Sequence, residues 1–159
     1  MPKEIERKWL LDTIELNQYA LISEHKVEQA YVSADPEVRI RNQDDAIYTL
    51  TLKDNGSVSR TEVEINITGD QYGEICTQLI QKPPIRKLYR KYRLPDGLIL
   101  EASRVDDGVF CYAEVEFPSM ECALAFQPLP EFQRELSEGG FRMRDYWQQR
   151  DGFSTDRLR

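Results

Sequence analysis

Several segments of this chain alternate apolar and charged residues one by one, and this pattern constrains the fold more than any other feature. In 4–8, Glu4, Glu6 and Lys8 share one side of an extended chain while Ile5 points to the other. The same period of two recurs in later segments. They are 38–41, 49–53, 60–65, 87–93, 101–103 and 113–117. Such alternation predicts β-strands, so we expect a mainly β protein whose strands each carry one charged face.

The charged faces hold three Glu-x-Glu pairs and one Arg-x-Arg pair. These are Glu4/Glu6, Glu62/Glu64, Glu114/Glu116 and Arg39/Arg41. Two carboxylates at alternate positions of a strand lie about 7 Å apart and can share a divalent cation. For any one strand, charges exposed to water are the simpler explanation. If the strands close into a barrel, the repeated faces either meet water or converge on the lumen, with the apolar faces then packed against helices outside.

A lumen built from these faces would hold both signs of charge. Its acids would be the three Glu-x-Glu pairs, and its bases Lys8, Arg39, Arg41, Lys53, Arg60, Lys87 and Lys91. Carboxylates hold Mg²⁺ or Mn²⁺, usually together with substrate phosphates, and arginine forks grip phosphate oxygens in pairs. A polyphosphate with a divalent metal ion would therefore satisfy all of these charges.

With these motifs in this order, the chain resembles the CYTH, or triphosphate tunnel metalloenzyme, family, in its small bacterial type. The matching motifs are Glu-x-Glu-x-Lys at 4–8, Arg-x-Arg at 39–41, the strand ending in Lys53, Arg-x-Glu-x-Glu at 60–64 and Ala-Glu-Val-Glu-Phe at 113–117. One position departs from the pattern. Many members carry a Lys-x-Arg pair where this chain has Lys87 and Tyr89, and Lys91 or Arg93 could substitute. The stretch 141–147 resembles the C-terminal tail of small bacterial members.

The resemblance implies an α+β, mainly β fold, namely an eight-stranded antiparallel closed barrel that forms the triphosphate tunnel, with helices packed outside. It also implies one or two Mg²⁺ or Mn²⁺ ions and a small-molecule triphosphate. The implied metal ligands are Glu4, Glu6, Glu62, Glu64, Glu114 and Glu116. The implied substrate-binding residues are Lys8, Arg39, Arg41, Lys53, Arg60, Lys87 and Lys91. Glu4, Glu6 and Lys8 are the implied catalytic residues.

The activities known in the family share a triphosphate ligand but differ in the reaction that they catalyse. They include inorganic triphosphatase, thiamine triphosphatase, RNA triphosphatase and class IV adenylate cyclase. Metal-dependent hydrolysis of inorganic triphosphate is the leading interpretation. A class IV-type adenylate cyclase and a thiamine or nucleoside triphosphatase are alternatives, although the sequence holds no base-recognition motif. A polyphosphate- or nucleotide-binding module without turnover is a further alternative, because Tyr89 stands in place of the expected arginine.

Composition sets wider limits. With 159 residues, 40% hydrophobic and 31% charged, the chain is expected to form one domain over 1–159, with the barrel over about 1–118 and a helical tail over about 119–159. No apolar run approaches a membrane span and no signal-like segment opens the chain, so a cytoplasmic protein without membrane contact is expected. The net charge of −7 disfavours nucleic-acid binding through a basic surface. A homodimer is possible, but no feature specifies its surface.

Local signals predict the remaining elements. Helices are expected at 15–24, 70–81 and 119–126, with Asp70 and Ser119 as the caps of the last two. Hairpin turns are expected at 54–57, 95–97 and 106–108. The last two turns join three strands into a meander over 87–117.

Single residues outside the charged faces are expected to be structural. The three scattered cysteines, Cys76, Cys111 and Cys122, are interpreted as small buried apolar residues without disulfide or zinc. His25 is expected at the surface near a helix end. Phe141, Tyr146 and Trp147 are interpreted as core anchors, with a lid over one tunnel mouth as the alternative.

Tyr89 lies on the basic face and could contact substrate.

Overall fold

The computed structural model describes residues 3–56, 58–80, 82–137 and 142–158 and contains a closed barrel. Its strands are β1 (Lys3–Leu11), β2 (Ala20–Ala34), β3 (Glu37–Gln43), β4 (Ile47–Lys53), β5 (Ser59–Ile67), β6 (Ile85–Arg93), β7 (Ile99–Val105) and β8 (Phe110–Glu116). Its helices are α1 (Gly69–Gln78), α2 (Met120–Ala125) and α3 (Met143–Gln149), followed by 3₁₀ turns at Arg150–Gly152 and Thr155–Leu158. The predicted eight-stranded antiparallel barrel is confirmed.

Neighbouring strands follow the order β1-β5-β4-β3-β2-β6-β7-β8, and β8 pairs with β1 to close the barrel. The predicted meander is β6, β7 and β8. Asp106 and Asp107 turn the chain between β7 and β8 with positive φ angles of 45° and 59°, and Gly108 follows at 112°. Short polar side chains and glycine are the residues that tolerate this conformation. Ser57, the last residue of the turn predicted at 54–57, lies outside the described residues.

The helix predicted at 15–24 is wrong, because β2 already begins at Ala20. A β-bulge between Leu21 and Ser23 shifts the register of β2 against β6. A bulge interrupts the period of two, so the apolar residues on its two sides take a spacing that resembles a helix. Leu16 is nevertheless buried, with 2% of its surface exposed, in the loop before β2.

The N-cap of α1 is Thr68 and not Asp70, as the sequence predicted. The hydroxyl of Thr68 accepts a hydrogen bond from the Gln71 backbone N–H at 3.0 Å, and the Gln71 side chain accepts one from the Thr68 N–H at 2.8 Å. This reciprocal pair is a capping box, which satisfies two backbone donors at once. Asp70 lies in the first turn, where its negative charge is favoured by the helix dipole.

Three residues of the apolar stripe predicted for α1, Ile75, Cys76 and Ile80, pack against the core as predicted, and the fourth, Leu79, does not. Tyr72 is buried and packs on Tyr48 of β4 with ring centroids 5.4 Å apart. Leu79, directly after the helix, is exposed over 66% of its surface, whereas Ile80 is buried. Gln81, the predicted last residue, lies outside the described residues.

The C-terminal tail covers one end of the barrel. Met143, Tyr146 and Trp147 of α3 are buried in one apolar cluster with residues from the strand ends. The barrel residues in this cluster include Leu10, Tyr31, Ile85, Val105, Phe110 and Tyr112. The expectation that Tyr146 and Trp147 anchor the core is confirmed, and Phe141 lies outside the described residues. We call this end of the barrel the closed end and the opposite end the open mouth.

A second apolar cluster lies outside the barrel, against β1. Trp9 stacks on Phe132 with ring centroids 4.5 Å apart and also contacts Phe126. The hydroxyl of Ser119 caps α2 by accepting a hydrogen bond from the Cys122 N–H at 3.1 Å, which confirms the predicted cap. This cluster supports the β1 strand whose other face points into the lumen.

Two interpretations of single residues need correction. Cys111 is buried, but Cys76 is only half-buried and Cys122 is exposed on the short helix α2. His25 lies on β2 and not near a helix end, with its Nδ1 2.7 Å from Oδ2 of Asp44.

None of the helices in the described ranges is long and apolar enough to cross a membrane.

Candidate active site

The inward faces of all eight strands line a cavity of about 270 Å³ inside the barrel. Its eight acids are Glu4, Glu6, Glu37, Glu62, Glu64, Glu101, Glu114 and Glu116, and its eight bases are Lys8, Arg39, Arg41, Lys53, Arg60, Lys87, Lys91 and Arg142. The charged faces therefore converge on the lumen instead of facing water. Each site residue predicted from the sequence lies around this one cavity.

The lumen is divided by charge, because the barrel order places the three Glu-x-Glu strands β8, β1 and β5 side by side. The acidic wall consists of the pairs on these strands, Glu4, Glu6, Glu62, Glu64, Glu114 and Glu116. The basic wall, on β3, β4 and β6, consists of Arg39, Arg41, Lys53, Lys87 and Lys91. Lys8 and Arg60 lie on the strands of the acidic wall.

Carboxyl groups of the acidic wall lie close enough to hydrogen-bond to one another. Glu4 lies within hydrogen-bond reach of Glu62 and of Glu6, and Glu6 lies within reach of Glu114. The hydrogen bond to Glu4, followed by burial, raises the pKa of Glu62 to about 7. Burial, followed by the charges of Glu114 and Glu4, raises the pKa of Glu6 well above its ordinary value. The crowded carboxyl groups thus share protons, which offset the repulsion between them.

Two other acids of this wall stay ionised because lysines face them. Lys53 Nζ lies 2.8 Å from Oε2 of Glu4, and Lys8 Nζ lies 4.0 Å from Oε2 of Glu114. Burial acts to raise the pKa of Glu4, but the hydrogen bond to Glu62 and the charge of Lys53 bring it below its ordinary value. Burial acts in the same direction on Glu114, and Lys8 is the main cause of its net pKa of about 2. Ionised and protonated carboxyl groups therefore lie side by side.

The basic wall contains donors without acceptors. The buried Nε atoms of Arg39 and Arg41 have no hydrogen-bond partner in the part of the chain that the structure describes. Arg41 Nη2 donates to Gln29 Oε1 at 3.2 Å, and Gln29 Nε2 donates to the Tyr31 hydroxyl at 2.9 Å. A buried donor without an acceptor costs about 1–3 kcal/mol. An anionic ligand in the cavity would supply the missing acceptors.

Lys87 differs from the other cations of the basic wall. Its side chain is buried, with its Nζ in hydrogen-bond contact with the Tyr112 hydroxyl. Burial, followed by the charge of Arg41 and with a further contribution from Arg39, lowers the pKa of Lys87 well below its ordinary value. A lysine in this setting loses its proton more readily than a surface lysine, so Lys87 can accept a proton during a reaction.

The two ends of the cavity differ in access to water. Glu64 and Glu116 of the acidic wall are exposed at the open mouth. At the closed end, Lys53 and Arg60 are buried, and Met143 of α3 both lines the cavity and is buried. Among the described residues, the cavity is therefore open to water at one end and covered by α3 at the other.

Tyr89, at the position that departs from the family pattern, lies in the cavity with Lys91. Burial, followed by the charge of Glu101, raises the pKa of Tyr89 above its ordinary value. Lys91 Nζ lies 5.9 Å from the centroid of the Tyr89 ring. Arg93, the second residue predicted as a substitute, is exposed at the end of β6. Lys91 is therefore the cation of the two that lines the cavity beside Tyr89.

The cavity also contains residues that were not among the predicted site residues. Glu37, two positions before Arg39, pairs with Arg60 at 3.2 Å. Tyr112, two positions before Glu114, points inward on the same strand face. Each of these two residues lies two positions before a predicted site residue of the same strand, so the alternation of that strand also predicts it. Arg142 belongs to no strand, so strand alternation could not have found it.

Mg²⁺ and Mn²⁺ fit the acidic wall by donor chemistry. Among the described residues, no three aspartate, glutamate, histidine or cysteine side chains are already gathered to hold a metal ion. The donors at this wall are carboxylate oxygens, which hard divalent cations prefer. A cation there would replace the protons that the hydrogen-bonded carboxyl groups now share. The donor atoms of this wall are therefore of the type that divalent cations bind. The side chains would have to rearrange to coordinate such a cation.

A larger groove of about 630 Å³ lies on the outer side of the barrel, along β2 and β6. It is bounded by Asp44, Asp45 and Asp107. Apart from Lys87, which also lines the lumen, its charged residues are exposed or half-buried and partly paired, as between Arg86 and Asp107, whose atoms Nη2 and Oδ2 are 2.8 Å apart. Its exposed, paired charges contrast with the buried and incompletely paired charges of the lumen, which make the lumen the candidate active site.

The fold and the site define this chain as a closed-barrel protein with a charged tunnel. No protein-family model matches the chain. The chain is 32% identical over 140 residues to the inorganic triphosphatase of Nitrosomonas europaea, and the alignment covers 85% of this chain and 89% of that protein. The chain therefore belongs to the same protein family as this inorganic triphosphatase.

Solved structures share the barrel. A crystal structure of an inorganic triphosphatase matches with a TM-score of 0.60 at 31% identity, covering 87% of this chain and 89% of that chain. A Hippeastrum adenylyl cyclase candidate with a dominant triphosphatase activity matches with a TM-score of 0.57 at 18% identity, covering 76% of this chain and 82% of that chain. The second likeness shows the fold alone.

Proposed function

We propose that this chain is a CYTH, or triphosphate tunnel metalloenzyme, protein that hydrolyses inorganic triphosphate with the help of Mg²⁺ or Mn²⁺. Its family relationship to an inorganic triphosphatase supports the substrate. The division of the lumen into an acidic and a basic wall supports the joint binding of metal and phosphate.

The balance of charge in the cavity is the observation that carries this proposal. Eight acids face eight bases, so the lining has no net formal charge. The lining therefore has no excess of formal positive charge to match the negative charges of a triphosphate, although single donors of Arg39 and Arg41 remain unpaired. Divalent cations at the acidic wall would release the basic wall to bind phosphate, so triphosphate and metal are expected to bind together.

The residues that would hold the metal are those of the hydrogen-bonded carboxyl chain, Glu62, Glu4, Glu6 and Glu114, with Glu64 and Glu116 nearer the open mouth. When bound, Mg²⁺ or Mn²⁺ supplies charge neutralisation at the phosphate oxygens. The unpaired Nε donors of Arg39 and Arg41 would bind phosphate oxygens from the other side. Fixed cations in a buried site stabilise the charge that develops during phosphoryl transfer.

Lys87 is the best-placed general base. Its lowered pKa gives a neutral amine at a pH where surface lysines are charged. In the proposed step, a water oxygen attacks the terminal phosphorus, its proton passes to Lys87 Nζ, and the bond to the bridging oxygen breaks to release pyrophosphate. This role adds Lys87 to the catalytic residues Glu4, Glu6 and Lys8 that the family resemblance implies.

The size of the cavity favours inorganic triphosphate over a nucleotide. Its volume of about 270 Å³ lies below the range of roughly 300–1,000 Å³ that is usual for drug-sized ligands. A nucleoside attached to the triphosphate would have to lie outside the open mouth, where Glu64 and Glu116 are exposed. Inorganic triphosphate is therefore ranked above the substrates of an adenylate cyclase or a nucleoside triphosphatase.

Phosphate release from inorganic triphosphate, ATP, thiamine triphosphate and GTP tests the proposal. Each compound is assayed with Mg²⁺, with Mn²⁺ and with a chelator, and the ATP reaction is also checked for cyclic AMP. We expect metal-dependent release from inorganic triphosphate with the highest kcat/KM. Cyclic AMP as the main product would replace the proposal by the cyclase alternative, and tight binding without release would replace it by the non-catalytic module.

A further inference from the structure

Arg142 reaches the cavity from the C-terminal tail and not from a barrel strand. It immediately precedes α3 and lines the closed end of the cavity together with Met143. Its Nη2 donates to the backbone carbonyls of Asn55 and Gly56, at 2.8 Å and 2.5 Å, in the turn between β4 and β5. These two hydrogen bonds fix the guanidinium over the end of the tunnel.

The other terminal nitrogen of Arg142 has no partner. Nη1 is buried and has no hydrogen-bond acceptor among the described residues. On the basic wall, the buried Nε atoms of Arg39 and Arg41 likewise have no acceptor among the described residues. Three arginines around one cavity thus each keep a buried donor free, and a charged donor of this kind is costly unless a ligand satisfies it.

The charges around Arg142 also favour an added anion. Burial, followed by the positive charges of Arg60 and Arg144, lowers the pKa of Arg142. Glu37 and Asp145 offset this repulsion, but Glu37 already pairs with Arg60 at 3.2 Å and Asp145 with Arg144 at 3.8 Å. The closed end therefore holds more positive charge than its own acids neutralise.

We propose that Arg142 binds the terminal phosphate of the substrate and forms the end of the tunnel. This inference rests on the proposed triphosphatase function and names a substrate-binding residue outside the barrel. Because the tail closes this end, the terminal phosphate that meets Arg142 must carry no further group. The class of substrate that follows is a linear triphosphate with at least one free terminal phosphate, which enters from the open mouth.

Arg144 provides a matched control for this role. It also ties the tail to the same part of the barrel, since its Nη1 donates to the Ala34 carbonyl and to Oδ1 of Asn55. It does not belong to the lining of the cavity. A loss of tail anchoring should follow from Arg144→Ala as well as from Arg142→Ala, whereas a loss of phosphate contact should follow only from Arg142→Ala.

The test measures tripolyphosphate binding by calorimetry, KM and kcat by phosphate release, and Tm. We expect Arg142→Ala to raise Kd and KM by about tenfold or more, as loss of a charged hydrogen bond predicts. Arg142→Lys should recover part of the affinity, and Arg142→Gln provides a variant of similar size should Arg142→Ala fail to fold. Arg144→Ala should change Tm and leave Kd and KM at the wild-type values.

The outcomes separate this inference from the proposed function. Wild-type affinity in Arg142→Ala and Arg142→Gln, with weakened binding in Arg39→Ala, would overturn the role of Arg142 while the tunnel function stands. An equal rise of Kd in Arg144→Ala would also overturn it, because tail anchoring would then explain the effect. Wild-type protein that binds tripolyphosphate without hydrolysing it would overturn the proposed function, and the Kd ratio would still decide on Arg142. Absence of binding in the wild type would overturn both.

Discussion

The two walls of the tunnel differ in how their charges are satisfied. On the acidic wall, Glu62 and Glu6 both lie within hydrogen-bond reach of Glu4, so groups of the same kind crowd together. On the basic wall, the Nε atoms of Arg39 and Arg41 have no acceptor among the described residues. The acidic wall has more carboxyl groups than the two facing lysines pair with, and the basic wall has donors without acceptors, so each wall is incomplete in a different way.

The incomplete pairing on both walls indicates that the lumen binds a ligand that carries charge. A barrel selected for stability alone would pair its acids with its bases, as Lys53 and Glu4 do at 2.8 Å. Segregated charges with shifted pKa values are instead typical of functional sites. At such sites the arrangement of charges serves ligand binding or catalysis at a cost in stability. Variants that each remove one charged group from one wall test this interpretation.

The largest effect is expected at Lys87, the residue of the basic wall that can lose its proton. Lys87→Arg keeps a positive charge but cannot accept a proton, so kcat should fall by about 10²–10⁴-fold, the usual contribution of a general base. In the wild type, the neutral amine becomes more abundant as pH rises, so kcat should rise with pH below the ordinary lysine pKa. The pH profile of kcat, measured by phosphate release, should lose this rise in the variant.

Lys87→Gln, which has no charge, serves as the control for this experiment. Both variants should lose the rise of kcat with pH, while only the glutamine variant also loses positive charge from the basic wall. A pH profile that keeps its rise in both would assign the base to another residue, and the acidic wall would then be the place to search for it.

The next largest effect tests the acidic wall through Glu6→Gln. The change removes a carboxylate that is expected to hold metal, and we expect kcat to fall by roughly 10²–10³-fold, as for other groups that stabilise charge in a transition state. Because burial, followed by the charges of Glu114 and Glu4, raises the pKa of Glu6, its ionised form is disfavoured in the folded chain. Tm at pH 7 should therefore stay the same or increase.

Phosphate release as a function of Mg²⁺ concentration, together with thermal unfolding, measures both effects. Glu121→Gln, at an exposed position on α2, is the matched control and should change neither quantity. Full activity in Glu6→Gln would show that the acidic wall does not hold the metal at this position.

A smaller effect is expected for Arg41→Ala on the basic wall. The change removes a free donor and a positive charge, and we expect KM for tripolyphosphate to rise by about tenfold or more, with a lower kcat. Arg104→Ala, on the exposed side of β7, is the control and should leave the kinetics unchanged. Equal kinetics in the two variants would mean that Arg41 does not contact the substrate.

The sequence predicts the lumen much better than its closed end. Once a strand carries Glu4, the period of two places Glu6 and Lys8 on the same face, so strand alternation brings these charges to one surface. Arg142 reaches the cavity only because α3 docks on the barrel end, and no local pattern encodes that contact. The lowered pKa of Lys87 likewise depends on burial and on Arg41 of another strand.

The smallest effect is expected outside the tunnel, where Arg7 and Glu135 form a complete ion pair. Arg7 Nε and Nη2 donate to the two carboxylate oxygens of Glu135 at 2.9 Å and 2.6 Å. Arg7 Nη1 also donates to the carbonyls of Ala123 and Phe126. Glu135→Gln should lower the free energy of unfolding by about 1–2 kcal/mol and leave KM and kcat unchanged, as measured by urea denaturation and phosphate release.

The pH dependence of stability measures the same contact independently. The hydrogen bond from Arg7 lowers the pKa of Glu135 below its ordinary value of 4.5. A carboxyl group with a lower pKa in the folded chain stabilises the fold above its unfolded pKa, and this contribution is lost as pH falls through the folded pKa. The stability difference between wild type and Glu135→Gln should thus be constant near pH 7 and shrink below about pH 4. A difference that persists unchanged at low pH would show that the charge of Glu135 does not stabilise the fold, and a changed kcat would show that this outer pair acts on the tunnel through β1.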